Sequence, residues 1–158
     1  MGSRELTHGR TIVARLPYGA DLLEAVLDVA TRHGVEAGAL SAVGALQRAR
    51  LSFYVQSPAA EGGRGYRPLV IERPTEIAAL SGTISHREGQ RMVHAHTCLA
   101  DETGQTIGGH LDAGCIVFAC EVVLTELMGA TLDRAYDDQT GLYLWKELEE
   151  EDGVGRGT

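Results

Sequence analysis

No apolar run in this chain approaches the roughly 18–20 residues that a membrane-spanning helix needs. Met1 to Arg10 holds no apolar stretch of signal-peptide type, so a cytoplasmic protein is expected. Cysteine is scarce. Cys98, Cys115 and Cys120 make an odd number with no CxxC pair, which argues against a disulfide framework or a zinc ribbon and leaves small buried thiols as the expectation. Aromatic residues are only 5% of the chain, too few for a base-stacking platform. A phosphate loop, a dinucleotide-binding fingerprint and a GxSxG elbow are also missing, so Ser81 in LSGT is not assigned as a nucleophile. Lys146 is the one lysine among 14 basic residues. The arginine bias can follow genome composition, and no phosphate site is inferred from it.

What is present fits one domain with a real core: 158 residues, 44% of them hydrophobic. The formal net charge is −8, much of it in Glu147, Glu149, Glu150, Glu151 and Asp152. Residues 1–146 contain 13 basic and 17 acidic side chains, so the body itself carries −4. That sign opposes non-specific DNA binding, in which cations replace counterions at phosphates. The expected division is a domain over 1–148 and an acidic, disordered tail over 149–158.

One helix stands out. Leu22, Leu23, Val26, Val29 and Ala30 recur at helical spacing. Asp21 with Glu24 three residues on forms a capping box, and Gly34 is a C-terminal stop, so a helix is predicted over 22–33. His33 suits its last turn, where a cation meets the negative end of the helix dipole. The other segments read as strands: 10–16, 37–46, 48–56, 66–73, 75–85, 91–100, 105–111, 115–129 and 141–148. A loop is expected over 57–65 and a polar turn over 86–90. Many strands with one strong helix imply an α+β fold: a largely antiparallel sheet with the helix on one face.

The chemistry concentrates in three histidines. His94 and His96 lie one residue apart on a predicted strand, so both side chains share a face. If Glu102-Thr103-Gly104 is a three-residue hairpin loop with Gly104 left-handed, Asp101 faces Gln105. Counting outward then pairs His96 with His110 and makes His94 a diagonal neighbour, close enough for three imidazoles to approach one point. Three neutral imidazoles suit Zn²⁺ with an open fourth position. The plain alternative is three polar side chains on a solvated strand, or buried histidines held by backbone groups. A two-residue turn would send His110 to the opposite face.

Other candidates carry less. Cys98 shares the predicted face of His94 and His96 and could add a soft ligand, although a cavity-filling thiol is the simpler reading. Gly108-Gly109 would admit close backbone approach, by a neighbouring subunit among others, or mark a bulge. Glu121, among Cys120, Val122 and Val123, is a weak candidate for a general base or a partner of a metal-bound histidine, with a solvent-facing role the simpler alternative. His8 and His86 read as ordinary surface histidines.

The order of these pieces resembles the PPC (plants and prokaryotes conserved) domain family in its prokaryotic, stand-alone form. The resemblance is carried by GADLLEAVLDVATRHGVEAGALSAVGAL (19–46), EIAALSGTIS (76–85), VHAHTCLADETGQTIGGHL (93–111) and CEVVLTEL (120–127). It implies a mixed sheet with a packed helix, assembled as a homotrimer, and a divalent metal, zinc by preference, held by His94, His96 and His110. Plant relatives pair the domain with AT-hook segments that grip the DNA minor groove, and prokaryotic relatives often carry a provisional DNA-binding label. This chain has no Arg-Gly-Arg-Pro hook. The leading expectation is therefore a metal-binding homotrimeric module with a small-molecule or protein partner. A DNA-related regulatory role comes second and would need Arg48, Arg50, Arg64, Arg67 and Arg73 to cluster. A metal-dependent hydrolase or lyase acting through bound water comes third.

Overall fold

A computed structural model describes residues 2–146. The elements run β1 (Thr7–Leu16), α1 (Leu22–Arg32), β2 (Gly38–Val55), β3 (Gly65–Ile71), β4 (Thr75–Arg87), β5 (Gln90–Ala100), β6 (Thr106–Leu111), β7 (Ile116–Met128), β8 (Asp133–Asp137) and β9 (Leu142–Trp145). The fold is mostly β: one mixed sheet with a single short helix among the described residues. The strand order is β1-β7-β2-β6-β5-β4-β8-β9, with β3 on the edge of β2. Every pairing is antiparallel except β4 with β8. No helix among the described residues is long and apolar enough to cross a membrane.

The helix forms as its sequence dictates. Asp21 is extended and accepts a hydrogen bond from the Glu24 amide at 3.1 Å, satisfying a donor that the first helical turn leaves free. Its other carboxylate oxygen accepts from the Gly114 amide, tying the helix start to the strand β7 approach. Leu22, Val26, Val29 and Ala30 form the buried stripe, and the chain leaves at His33, which caps the helix rather than extending it.

Strand β2 organises the rest. The expected break between 46 and 48 does not occur: residues 38–55 are one long strand, irregular in register against β7 around Ala45 to Arg48 but unbroken. Gln47 supports this stretch by donating to the Val117 carbonyl at 2.9 Å. The first half of β2 pairs with β4 and β7, and the second half pairs with β3 and β6. Since β4, β5 and β6 pair in succession, the ladder β2–β4–β5–β6 returns to β2. Inside this circuit lie Leu40, Leu46, Leu51, Ile84, Ala95, Leu99 and Leu111, all buried in one core with the helix stripe.

Three further expectations change. The 86–90 turn is shorter than expected: His86 and Arg87 belong to β4, and the bend sits at Glu88 and Gly89, both with positive φ. Strand β8 had no place in the sequence reading, because five residues with three half-exposed polar positions show little alternation. The last strand, expected over 141–148, is Leu142–Trp145, and residues 147–158, with the expected tail, lie outside the described residues. Pro68 is accommodated because β3 pairs on one side only.

Replacing Asp21 with Ala removes both the cap and the Gly114 anchor and is expected to cost about 1–2 kcal/mol. Leu22→Ala, beside it and fully buried, is expected to cost about 2–5 kcal/mol. Urea denaturation midpoints at constant m-value check both.

Candidate functional site: a histidine-lined cavity

The turn between β5 and β6 sets the site. Asp101 and Gln105 face each other, with the Asp101 amide donating to the Gln105 carbonyl at 2.9 Å. The Asp101 carboxylate accepts from the Thr103 amide, the Thr103 hydroxyl and the Gln105 amide, and bonds Arg73 at 2.9 Å. The Thr103 hydroxyl is the main reason its carboxyl titrates below the usual range. Gly104 closes the loop at φ +81°, a conformation that a Cβ disfavours. Counting back from this turn, Cys98 pairs with Gly108 and His96 with His110, the register expected from the sequence.

Val93, Ala95, Thr97 and Leu99 of β5 point into the core, so Met92, His94, His96 and Cys98 take the other face. Leu111 is likewise buried, which turns its neighbour His110 to the histidine face. The ring centroids of His94, His96 and His110 form a nearly equilateral triangle with sides of 5.3, 5.2 and 5.4 Å. Gly109 makes this possible: a Cβ there would stand 2.8 Å from the Ser52 carbonyl oxygen. The close approach foreseen for the Gly-Gly pair is thus made by β2 of the same chain, where Ser52 pairs with His110.

The histidines open into a cavity of about 820 Å³. Tyr54 and Tyr66, opposite each other on β2 and β3, form one wall, and the Tyr66 ring lies edge-on to His110 at 5.2 Å. The β8–β9 hairpin supplies another wall through Arg134, Leu142 and Tyr143. None of these wall residues was singled out from the sequence. Tyr54 and Tyr66 become neighbours only through the β2–β3 register, and Arg134 sits in the strand that the sequence pattern did not show.

Hydrogen bonds differentiate the three rings. Asp112 Oδ1 lies 3.1 Å from His110 Nδ1 and also accepts from the Ser52 hydroxyl at 3.1 Å. A proton on His110 Nδ1 leaves its Nε2 lone pair free. Arg134 Nη2 lies 3.1 Å from His94 Nδ1. A guanidinium only donates, so His94 Nδ1 accepts and the neutral ring carries its proton on Nε2. Burial, then the Arg134 charge and the two neighbouring histidines, pushes His94 down to about 4. Burial and His110 also lower His96. His94 and His96 are therefore uncharged at neutral pH. Among the described residues, however, no group of three or more His, Cys, Asp or Glu side chains presents its ligand atoms so as to hold a metal as it stands. The rings converge, while Nδ1 of His110 faces Asp112 and Nδ1 of His94 faces Arg134.

The remaining candidates separate from the site. Cys98 shares the histidine face without lining the cavity. Cys115 and Cys120 are buried thiols, pushed up to about 11 by burial. Glu121 is exposed on β7, in register with Arg15 and Val43, and does not reach the cavity. His86 is not an ordinary surface residue: its side chain is 12% exposed and its Nε2 bonds Glu36 at 2.8 Å, because β4 extends further than expected. His8 is exposed on β1, as expected. A second groove, between β1 and α1, measures about 690 Å³. It is edged by charges such as the Arg32–Asp28 pair at 2.9 Å and gathers no convergent polar group.

Comparison with known proteins places these features. The family profile described as the Plants and Prokaryotes Conserved (PCC) domain matches residues 3–128. The chain is similar to the crystal structure of a metal-containing protein from Archaeoglobus fulgidus, with 35% identity and a TM-score of 0.85 over 93% of this chain and 100% of that one. It is also similar to a plant- and prokaryote-conserved (PPC) protein from Pyrococcus horikoshii, with 30% identity and a TM-score of 0.81 over 95% and 100% of the two chains. Among curated proteins it is 34% identical over 142 residues to the bifunctional protein GlmU of Synechococcus sp. (strain JA-3-3Ab), covering 89% of this chain and 21% of that protein. The chain spans about a fifth of the length of the curated relatives it matches.

In chelator-treated protein, His94 is expected to stay neutral until the pH falls to about 4, which ¹H–¹⁵N imidazole NMR would follow directly. Its folded value lies below the unfolded one, about 6.5. Its contribution to stability is therefore complete above about pH 6.5 and declines as the pH falls toward 4. A His94 that titrates near 6.5 in the folded protein contradicts the described burial.

Proposed function

The chain belongs to the Plants and Prokaryotes Conserved domain family, and from that premise we propose that it is a metal-binding, homotrimeric ligand-binding module. His94, His96 and His110 are the metal ligands in this reading, and zinc is the favoured metal. The convergence of three imidazoles from two paired strands carries the reading. Their chemistry fits. Neutral imidazole is the form that binds a divalent cation, and burial favours that form at His94 and His96. At His110, Asp112 acts as the carboxylate that fixes a ligand histidine's tautomer. Loading requires the rings to turn, with His94 giving up its bond to Arg134. A metal bound there would supply a Lewis-acidic position for a ligand oxygen or water. Similarity to a metal-containing protein supports the reading.

The trimeric part of the proposal rests on the resemblance and on exposed valines of one sheet face. Val13 on β1, Val123 on β7 and Val43 on β2 are 75%, 42% and 58% exposed. Val13 pairs directly with Val123, and Val43 stands opposite Glu121, two residues away on the same face. Exposed valines on three adjacent strands, interspersed with Arg15, Ser41 and Glu121, would suit an association surface.

Elemental analysis of protein purified without chelators is expected to find about one zinc per chain, at a solution mass near three times the 16.9 kDa chain. His96→Ala is expected to lose the metal, and Asp112→Ala to weaken it by about 10–100-fold. A metal-free wild-type protein that also takes up no added zinc refutes the metal reading. A monomeric mass refutes the trimer.

A further inference from the structure

The cavity beside the histidines is opposite in charge to the chain as a whole. Its lining contains Arg87, Arg134 and the three histidines, and no aspartate or glutamate. This occurs in a chain whose formal net charge is −8. The nearest acid to the histidines, Asp112, lies outside that lining and is engaged by His110 and Ser52.

Arg134 is the unusual member. Arg10, Arg73 and Arg91 have carboxylate partners in Glu126, Asp101 and Glu36, while Arg64 and Arg67 are held by loop carbonyls. Half-buried Arg134 has only neutral acceptors among the described residues. Its Nε donates to the Ser85 hydroxyl at 2.9 Å, Nη1 to the Tyr143 carbonyl at 3.0 Å, and Nη2 to His94 Nδ1 at 3.1 Å and, at 3.4 Å, to the Thr83 hydroxyl. One Nη1 proton has no acceptor among the described residues, and the Thr83 bond is long. A guanidinium partly removed from water without an anion carries a desolvation cost, and a bound anion offsets it. The contacts with Ser85 and Tyr143 hold the group rigidly at the cavity wall, so little freedom is lost when a ligand arrives.

We infer that this cavity binds a small organic carboxylate, its anionic end on Arg134 and its apolar body between Tyr66, Tyr143 and Leu142. The cavity volume of about 820 Å³ lies in the range of small-molecule sites. Arg87 reinforces the sign of the field: its Cζ lies 3.5 Å from the centroid of the Tyr143 ring, and its nearest carboxylate, Glu88, is 4.0 Å away. A phosphate is disfavoured because the lining offers neither a helix N-terminus nor a glycine-rich amide nest to share its larger charge. The inference deepens the reading of this cavity as a ligand site and rests on the cavity, while requiring no bound metal.

The chain carries its own reporter. Trp145 is the one tryptophan, and Arg134 Cζ lies 5.7 Å from its ring centroid. Benzoate, its neutral isostere benzamide and inorganic phosphate are titrated against full-length protein, chelator-treated and zinc-loaded, with Trp145 emission as the readout. Benzoate is expected to bind saturably and about tenfold or more tightly than benzamide, the factor associated with one charge-assisted hydrogen bond. Phosphate is expected not to displace it. Arg134→Gln removes the preference, Arg134→Lys restores part of it, and Arg48→Gln, outside the cavity, leaves it unchanged. Equal affinity for benzoate and benzamide in the wild-type protein overturns the inference, so the test stands even if Arg134→Gln fails to fold. A folded Arg134→Gln that keeps the preference, or displacement of benzoate by equimolar phosphate, also overturns it. Zinc content measured on the same samples separates the two readings. Benzoate preference without zinc uptake upholds the carboxylate site and refutes the metal; zinc uptake without the preference does the reverse.

Discussion

The pairing of β5 with β6 is the constraint on which the site depends. A strand displays alternate residues on opposite faces, so the position of His110 relative to His94 and His96 depends on an integer, the number of residues in the turn. Asp101 fixes that integer. Its carboxylate gathers the Thr103 and Gln105 amides and the Thr103 hydroxyl while Gly104 takes the left-handed conformation. Arg73 holds the carboxylate from outside. The histidine triangle is thus a consequence of hydrogen bonds made at the far end of the hairpin.

That hairpin would be marginal alone. It is rigid because β2 is long enough to serve both ends of a circuit, meeting β4 along its first half and β6 near its second. Closing the circuit brings the Ser52 carbonyl against Gly109 and buries Leu51 and Leu111 beneath the histidine strand pair. The helix seals the core from below with a stripe of four apolar residues. The site consequently stands on strands held from several sides, which suits a binding surface that must keep its geometry.

Charge is distributed with the same economy. Several arginines have a carboxylate close by, and the Arg10–Glu126 pair holds Glu126 down to about 2. Half-buried Arg134 has no such partner among the described residues, and it stands at the cavity where His94 and His96 stay neutral. Its bond to His94 also opposes metal loading, so guanidinium, imidazoles and any bound anion form one coupled system. The basic residues that would serve DNA make no comparable arrangement. Arg73 is neutralised by Asp101, while Arg64 and Arg67 are held by loop carbonyls.

By itself the sequence determined the helix, from its cap and apolar spacing, most of the strands, and the His96–His110 register, because each depends on neighbours within a turn or a hairpin. It also carried the family resemblance. Local pattern did not determine the continuity of β2 or the existence of β8, since both are stabilised by strands distant along the chain. Nor did it reveal that half-buried His86 pairs with Glu36, or that Tyr66, Tyr143 and Arg134 surround the histidines. Tertiary structure decided those features, for a physical reason: the energy of a wall residue or an unpaired charge depends on what the closed sheet brings beside it, and no periodicity encodes that.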